Sequence, residues 1–170
     1  MTRRGDARRP GDNGEKLFER ITARIDSYES DMVALQLGLT AIPALAPENG
    51  GNGEYQKARY LVEQLREMGF RTIRTFDAPD DRVAYNCRPN VIVTVPGTHR
   101  GRTVWVLTHM DIVPPGELGL WDHDPYKGYV KDGKVFGRGT EDNQQDLVAS
   151  IFAARAFLDE GVKPAFSVGL

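Results

Sequence analysis

Segments with helix-like and strand-like hydrophobic patterns alternate along this chain of 170 residues. Three segments carry apolar side chains at spacings of three and four, which is typical of amphipathic helices: residues 15–40, 54–68 and 141–160. Four short apolar runs are typical of strands: residues 70–76, 90–95, 103–108 and 165–170. Because strands alternate with helices, the sequence predicts an α/β fold on a mostly parallel sheet.

The region after residue 102 carries the most detailed pattern. Residues 103–108 are apolar on both faces, which predicts a strand in the middle of a covered sheet. Residues 110–127 contain three prolines and no periodicity, so they predict a long loop rather than a core element. Asp132 and Gly133 lie between two short strand-like segments and predict a hairpin with a two-residue turn.

Composition and charge exclude several classes of partner. The 22 basic and 24 acidic residues give a net charge of −2, which supports neither nucleic acid nor an anionic membrane as a partner. Cys87 is the only cysteine, so no intrachain disulfide forms and a cytoplasmic location is predicted. No apolar run approaches the ~20 residues of a membrane helix. Residues 1–14 are rich in arginine without a following apolar stretch, which predicts a flexible tail.

A histidine and two carboxylates lie at the ends of predicted elements. His109 and Asp111 follow the strand at residues 103–108, where ligands gather in open α/β sheets. Two residues apart in extended chain, they point to the same side, so Asp111 is placed to orient a metal-binding imidazole. Asp142 lies near the start of the third helix, behind Gly137-Arg138-Gly139. The alternatives are a hydrogen-bonded loop pair for His109 and Asp111, and a helix-capping acid for Asp142.

Four segments, in this order, resemble the zinc-dependent metallopeptidase superfamily of aminoacylase, acetylornithine deacetylase, succinyl-diaminopimelate desuccinylase and carboxypeptidase G. They are THMDIVP at 108–114, WDHDPY at 121–126, the DG turn at 132–133 and GRGTEDN at 137–143. The resemblance covers roughly residues 15–170. It implies the first part of a three-layer α/β/α catalytic domain, truncated after about 170 residues. The rest of that domain and a lid or dimerisation domain are then absent from this chain.

The same resemblance implies roles for the site residues. His109 resembles the histidine ligand of one metal, Asp111 the acid that orients it, and Asp142 the carboxylate that bridges both metals. The general-base glutamate and the other ligands would lie beyond residue 170. The implied cofactor is two Zn²⁺ ions per complete site, with Co²⁺ or Mn²⁺ as alternatives. A small peptide or N-acyl amino acid is the implied substrate, and a homodimer is one implied state of the full-length form.

Two function classes follow from these observations. The first is a metal-dependent hydrolase of amide bonds, acting as a peptidase or N-acyl-amino-acid deacylase. The alternative is a truncated, non-catalytic fragment or pseudoenzyme that retains only part of the metal site, and the 170-residue chain by itself is expected to be inactive. Nucleotide binding by the glycine-rich loop at residues 49–53 ranks lower, because no strand leads into it. His123 and Arg138 are expected to be structural.

Overall fold

In the computed structural model, which describes residues 12–170, a mixed β-sheet carries a layer of helices. The helices are α1 (Asp12–Asp26), α2 (Glu29–Thr40), α3 (Tyr55–Glu67) and α4 (Gln145–Asp159), with short helical turns at Pro47–Asn49 and Leu118–Leu120. The strands are β1 (Ile73–Pro79), β2 (Cys87–Val95), β3 (His99–Trp105), β4 (Tyr129–Lys131), β5 (Lys134–Phe136) and β6 (Phe166–Gly169). The predicted alternation of strands and helices is therefore present.

Four strands form the main sheet in the order β1-β2-β6-β3, and β4 pairs with β5 as a separate hairpin. Of the three neighbouring pairs, β3 and β6 are parallel, whereas β1–β2 and β2–β6 are antiparallel. The short connection at residues 80–86 allows only an antiparallel pair between β1 and β2. The parallel pair is made by the long crossover through α4, which inserts β6 between β2 and β3.

The prediction that residues 103–108 form a central, covered strand is wrong. The strand ends at Trp105, and β3 is an edge strand of the described sheet. Val104 and Trp105 are 53% and 52% exposed, and Leu107 is 87% exposed. The physical reason is the position of the helices, because α3 and α4 pack over β2 and leave β3 outside their layer.

The hydrophobic core lies between the helices and one face of the sheet. Val93 and Val95 of β2 are buried against side chains from α2, α3 and α4. Leu39, Leu65 and Phe152 are almost completely buried there. Because α1, α2 and α3 contact α4 or one another, the described residues supply the sheet and one helical layer of the expected three-layer architecture.

The predicted single helix over residues 15–40 is wrong, because the chain turns at Ser27 and Tyr28 between α1 and α2. The Ser27 hydroxyl donates to the Arg24 carbonyl at 2.6 Å, and the Tyr28 amide donates to the Ile25 carbonyl at 2.9 Å. The Tyr28 side chain is buried, and its hydroxyl donates to Asp159 at 2.5 Å. Both helices pack on the same core, which explains why the apolar spacing continues across the break.

Other local predictions have mixed outcomes. The hairpin is confirmed, and its turn residues Asp132 and Gly133 both have positive φ, at 51° and 70°. Of the predicted tail at residues 1–14, residues 1–11 lie outside the described part, and residues 12–14 belong to α1. Among the residues that are described, no helix is long and apolar enough to cross a bilayer.

Phe152 tests whether the core lies where the structure places it. Phe152→Ala removes a ring that is 0% exposed, so it should lower the free energy of unfolding by about 3–5 kcal/mol. Leu158→Ala on the same helix removes a side chain that is 37% exposed and should cost about 1 kcal/mol or less. Urea denaturation followed by circular dichroism measures both values. Equal losses would contradict this core.

Candidate metal centre

His109 lies at the carboxyl end of the β3 segment, and a carboxylate faces each nitrogen of its ring. Nδ1 is 3.1 Å from the Asp111 carbonyl oxygen and 3.2 Å from Asp111 Oδ1. Nε2 is 3.1 Å from Asp142 Oδ1. The fold therefore brings the three residues singled out from the sequence together, although Asp142 is 33 positions away from His109.

Oxygen acceptors face both nitrogens of the His109 ring: the Asp111 carbonyl and carboxylate at Nδ1, and the Asp142 carboxylate at Nε2. A neutral imidazole carries one ring proton, so only one of its nitrogens donates. With that proton on Nδ1, Nε2 directs a lone pair at the Asp142 carboxylate. Two lone pairs at 3.1 Å repel each other unless a positive charge lies between them. A proton or a metal ion meets this requirement.

Asp142 is held in an irregular turn, Thr140–Gln144, and the prediction that it lies in the first turn of a helix is wrong. Its φ and ψ angles are −117° and 98°, and α4 starts only at Gln145. Thr140 does not cap this helix either, because its hydroxyl donates to the Gly137 carbonyl at 3.0 Å. The capping alternative for Asp142 is therefore removed, since its carboxylate faces His109 instead.

Buried polar contacts anchor this turn to α2. Gln144 is 1% exposed and accepts a hydrogen bond from the Thr40 hydroxyl at 2.9 Å. The Gln36 side chain donates to the Thr140 carbonyl at 2.7 Å. These hydrogen bonds stabilise the irregular turn in place of a regular first turn of α4. Together with α4 they set the position of the turn.

Two further contacts connect the turn to the segment that carries His109. The Asn143 side-chain oxygen accepts a hydrogen bond from the His109 amide at 3.2 Å. Gly139 has φ of 87°, and a Cβ there would lie 2.6 Å from Cγ2 of Ile112. The backbone at Gly139 therefore lies close to Ile112, which places the turn against the Asp111–Ile112 segment.

A buried charged group that the sequence reasoning missed lies on α3. Lys57 on α3 is 1% exposed, and its Nζ has no hydrogen-bond partner among the described residues. Burial lowers the pKa of Lys57 to about 8, while the negative charges of Asp111 and Glu54 oppose that shift. Lys57 lies four residues before Leu61 and eight before Leu65, on the apolar stripe of α3. This spacing was the one indication in the sequence that Lys57 is buried.

Glu54 precedes α3 and is already paired. It is 6% exposed and accepts two hydrogen bonds from the Arg88 guanidinium, one of them from Nε at 2.5 Å. Arg88 also lies 3.7 Å from Asp80. The charge of Glu54 is therefore offset by Arg88, whereas the charge of Lys57 is not offset by a direct ion pair in the described residues.

An open cavity of about 390 Å³ leads from the sheet to this site. One wall is formed by β2 and another by the segment after β3, while α3 and α4 supply an apolar floor that includes Leu61, Leu65 and Ile151. His109 and Asp111 lie on its lining, together with Glu54. Their side chains remain accessible, since 44% of His109 and 46% of Asp111 are exposed.

The donor atoms fit part of a metal site. Zinc binds imidazole nitrogen and carboxylate oxygen at about 2.0–2.2 Å, so one cation can reach two donors that lie 3.1 Å apart. Across residues 12–170, no group of three or more His, Cys, Asp or Glu side chains converges on one point. The two facing donors of His109 and Asp142 thus amount to half of the four ligands that a structural or catalytic zinc takes.

Three other candidates have structural roles in this fold. His123 packs edge-on against Tyr129 with ring centroids 4.6 Å apart. Arg138 lies 5.2 Å from the Trp121 ring, and its Nη2 donates to the Pro115 carbonyl at 3.3 Å. In the glycine-rich loop at residues 49–53, backbone amides donate to carbonyls of residues 45–47. Those amides are thus already used within the loop rather than offered to a phosphate.

Comparisons with known proteins extend these observations. Residues 105–170, which include His109, Asp111 and Asp142, match the model of Peptidase family M20/M25/M40. An uncharacterized metallohydrolase of Methanocaldococcus jannaschii is 30% identical over 147 residues, which are 82% of this chain and 35% of that protein. A succinyl-diaminopimelate desuccinylase of Delftia acidovorans is 33% identical over 133 residues, covering 78% of this chain and 32% of the enzyme.

The structure of human carnosine dipeptidase 1 has the same fold over most of this chain. The TM-score is 0.74 at 22% identity, with 90% of this chain and 33% of the dipeptidase covered. This likeness confirms the predicted α/β fold class. The chain spans about a third of the length of the curated relatives it matches.

Gly139 provides a test of the packing that positions Asp142. Gly139→Ala combines a left-handed backbone with a clash against buried Ile112, so it should lower the free energy of unfolding by roughly 3 kcal/mol. Gly133→Ala is the matched control, because Gly133 also has positive φ but has nothing within 4 Å of the added Cβ. It should cost only roughly 1–2 kcal/mol. Chemical denaturation of both variants measures the difference, and equal costs would argue against close packing of Gly139 on Ile112.

Proposed function

Residues 105–170 of this chain belong to Peptidase family M20/M25/M40, and on that basis we propose that the chain supplies one part of the metal site of an amide-bond hydrolase. The observation that carries the proposal is the 3.1 Å contact between His109 Nε2 and Asp142 Oδ1. With the ring proton on Nδ1, beside Asp111, this pair is stabilised by a shared proton or metal ion. The metallohydrolase and desuccinylase relatives support a metal ion in that position.

In the proposed site, His109 and Asp142 hold a divalent cation and Asp111 orients the imidazole. Zn²⁺ is the proposed ion, with Co²⁺ or Mn²⁺ as alternatives because their ligand sets overlap. When bound, the ion supplies a Lewis acid that polarises an amide carbonyl. Asp142 would hold a second ion through its other carboxylate oxygen if the complete site takes two ions.

The chain's own residues prepare this site in three ways. Asp111 keeps the proton on Nδ1 and so leaves Nε2 free for a metal. Asn143 binds the backbone amide of His109 and holds the two segments in register. Apolar side chains, including Leu61, Leu65 and Ile151, line the side of the cavity that faces α3 and α4.

We propose that the general base and the remaining ligands come from polypeptide outside the described residues. Two donors do not complete a zinc site, and the relatives are about three times as long as the matched region. A non-catalytic role with partial metal binding is the second candidate, and it is favoured by the same shortage of ligands. A cytoplasmic location and a homodimer of the complete form stay predictions.

The proposed substrate class is a small N-acyl amino acid or peptide. The desuccinylase relatives, which are 33–35% identical, favour N-acyl amino acids within that class. The dipeptidase neighbour is below 25% identity and supports only the fold. The reaction is therefore proposed as hydrolysis of an amide bond, with the acyl side of the substrate unspecified.

Zinc titration of purified protein tests the proposed ligands. His109→Ala and Asp142→Asn should each abolish the measured Zn²⁺ binding, because each removes one of two donors. Asp111→Asn should weaken binding by about 10–100-fold, since it removes the group that orients the imidazole. His123→Ala is the control and should leave binding unchanged, because His123 packs on Tyr129.

Two results would contradict the proposal. Zinc binding that survives both His109→Ala and Asp142→Asn would place the metal elsewhere. Hydrolysis of an N-succinyl amino acid by residues 1–170 alone, lost in His109→Ala, would show that no further ligands are needed.

A further inference from the structure

The cavity of about 390 Å³ is a gap in the main sheet, and it begins where β6 ends. β6 lies between β2 and β3 and stops at Gly169. Past that point, residues 88–93 of β2 and residues 105–111 form the two long walls of the cavity, and Leu170 also lines it. Neighbouring strands lie about 4.7–4.9 Å apart, so two walls that flank one strand leave room for one extended chain and not for two.

The β2 wall directs backbone groups of Val91 into the gap. Val93 exchanges two hydrogen bonds of 3.0 Å with Leu170, whereas the Thr94 amide donates to the Thr72 carbonyl on the β1 side. Successive residues of an antiparallel strand bond alternately to the two sides. Val91 lies two residues before Val93, so its N–H and C=O face the gap just as those of Val93 face Leu170.

The opposite wall directs backbone groups of Val106 and Thr108 into the same gap. The Val106 amide donates to the Gly169 carbonyl at 2.9 Å, which continues the parallel pairing of β3 with β6. By the same two-residue alternation, the Val106 carbonyl and both backbone groups of Thr108 face the gap. The His109 amide is directed elsewhere, because it donates to the Asn143 side chain. Both walls therefore offer donors and acceptors at the spacing of a β-ladder.

The side of the gap that faces the helices is apolar. Leu61, Leu65 and Ile151 line it, and the Leu170 side chain packs against the same core. Side chains alternate between the two faces of a strand. In an extended chain that continues from Leu170, the second residue therefore points at this apolar floor, and the first and third point to the opposite face, where Leu107 is exposed.

We propose that this gap is the seat of an extended strand that continues β6 from Leu170. Its first residue bonds to Val106 and Thr108, and its second residue exchanges two hydrogen bonds with Val91. A strand joined to Leu170 is favoured over a separate peptide, because Leu170 already occupies the entrance and is bonded to Val93. The chain spans about a third of its curated relatives, so those proteins have polypeptide outside the matched region.

The proposed strand runs toward His109. The parallel register pairs Trp105 with Gly169, and its continuation pairs His109 with the third residue after Leu170. The gap is therefore filled by polypeptide as far as the candidate metal centre, and a small substrate is left only the space beyond it. A strand fills the gap whether or not His109 and Asp142 hold a metal ion.

Hydrogen exchange of single amides, measured by NMR, tests this placement in proteins that differ only after Leu170. One is the chain of 170 residues, one adds Thr-Val-Thr-Val, and one adds Gly-Ser-Gly-Ser. The Thr-Val-Thr-Val tail should slow exchange at Val91 and Thr108 by about tenfold relative to Ile92, because both amides gain a partner within the sheet. Ile92 is the internal reference, since its amide faces β1. The Gly-Ser-Gly-Ser tail should change these ratios less than about twofold.

A tail of the same composition in the opposite order is the matched control. Val-Thr-Val-Thr places its valines on the open face and a threonine on the apolar floor, because a shift of one residue exchanges the two faces of a strand. It should slow exchange at Val91 and Thr108 less than about threefold. The sequence of residues 1–170 is the same in every protein, so a difference between the tails cannot come from a substitution in the core.

Four results would overturn the proposal. Exchange ratios that are the same with the Thr-Val-Thr-Val and Gly-Ser-Gly-Ser tails would show that no strand enters the gap. Equal slowing by the two valine–threonine tails would contradict the predicted register. Equal slowing by free Thr-Val-Thr-Val peptide at millimolar concentration would assign the gap to a separate peptide. Slow exchange at Val91 in the chain of 170 residues, lost on dilution, would assign it to a second copy.

Discussion

The His109 ring joins the two carboxylates of this site, because Asp111 lies at one ring nitrogen and Asp142 at the other. With the ring proton on the Asp111 side, Asp142 faces a nitrogen lone pair at 3.1 Å. This arrangement is unfavourable for the isolated protein groups and favourable once a proton or a metal ion lies between them. The site thus favours a positive charge because a carboxylate lies at each nitrogen of one imidazole.

The fold supplies this arrangement through one long crossover. The chain leaves β3 at Trp105, passes through the loop and the hairpin, and returns through α4 to form β6 beside β3. The irregular turn Thr140–Gln144 lies at the start of α4, where buried polar contacts to α2 replace a regular helical start. Because the turn is anchored at both ends, the Asp142 carboxylate is directed at His109 instead of capping its own helix.

Local patterns predicted most of the helices and strands and singled out His109, Asp111 and Asp142, whose roles stay predictions. Periodicity predicts helices, and the turn at Asp132 and Gly133 requires residues that tolerate positive φ. The break at Tyr28, the edge position of residues 103–108 and the buried state of Lys57 were not predicted. Each depends on which surfaces pack together, and an apolar stripe looks the same whether its helix is continuous or turns over a shared core. The convergence of His109 with Asp142 is likewise a tertiary property, suggested by the family motifs rather than by spacing.

Crystals of the protein soaked in zinc and measured at the zinc absorption edge provide the most direct test. One anomalous peak should lie between His109 Nε2 and the Asp142 carboxylate, within about 2.0–2.2 Å of each, with Asp111 on the opposite side of the ring. A peak bound by other side chains, with the His109–Asp142 contact intact and empty, would contradict the shared-cation interpretation of this site.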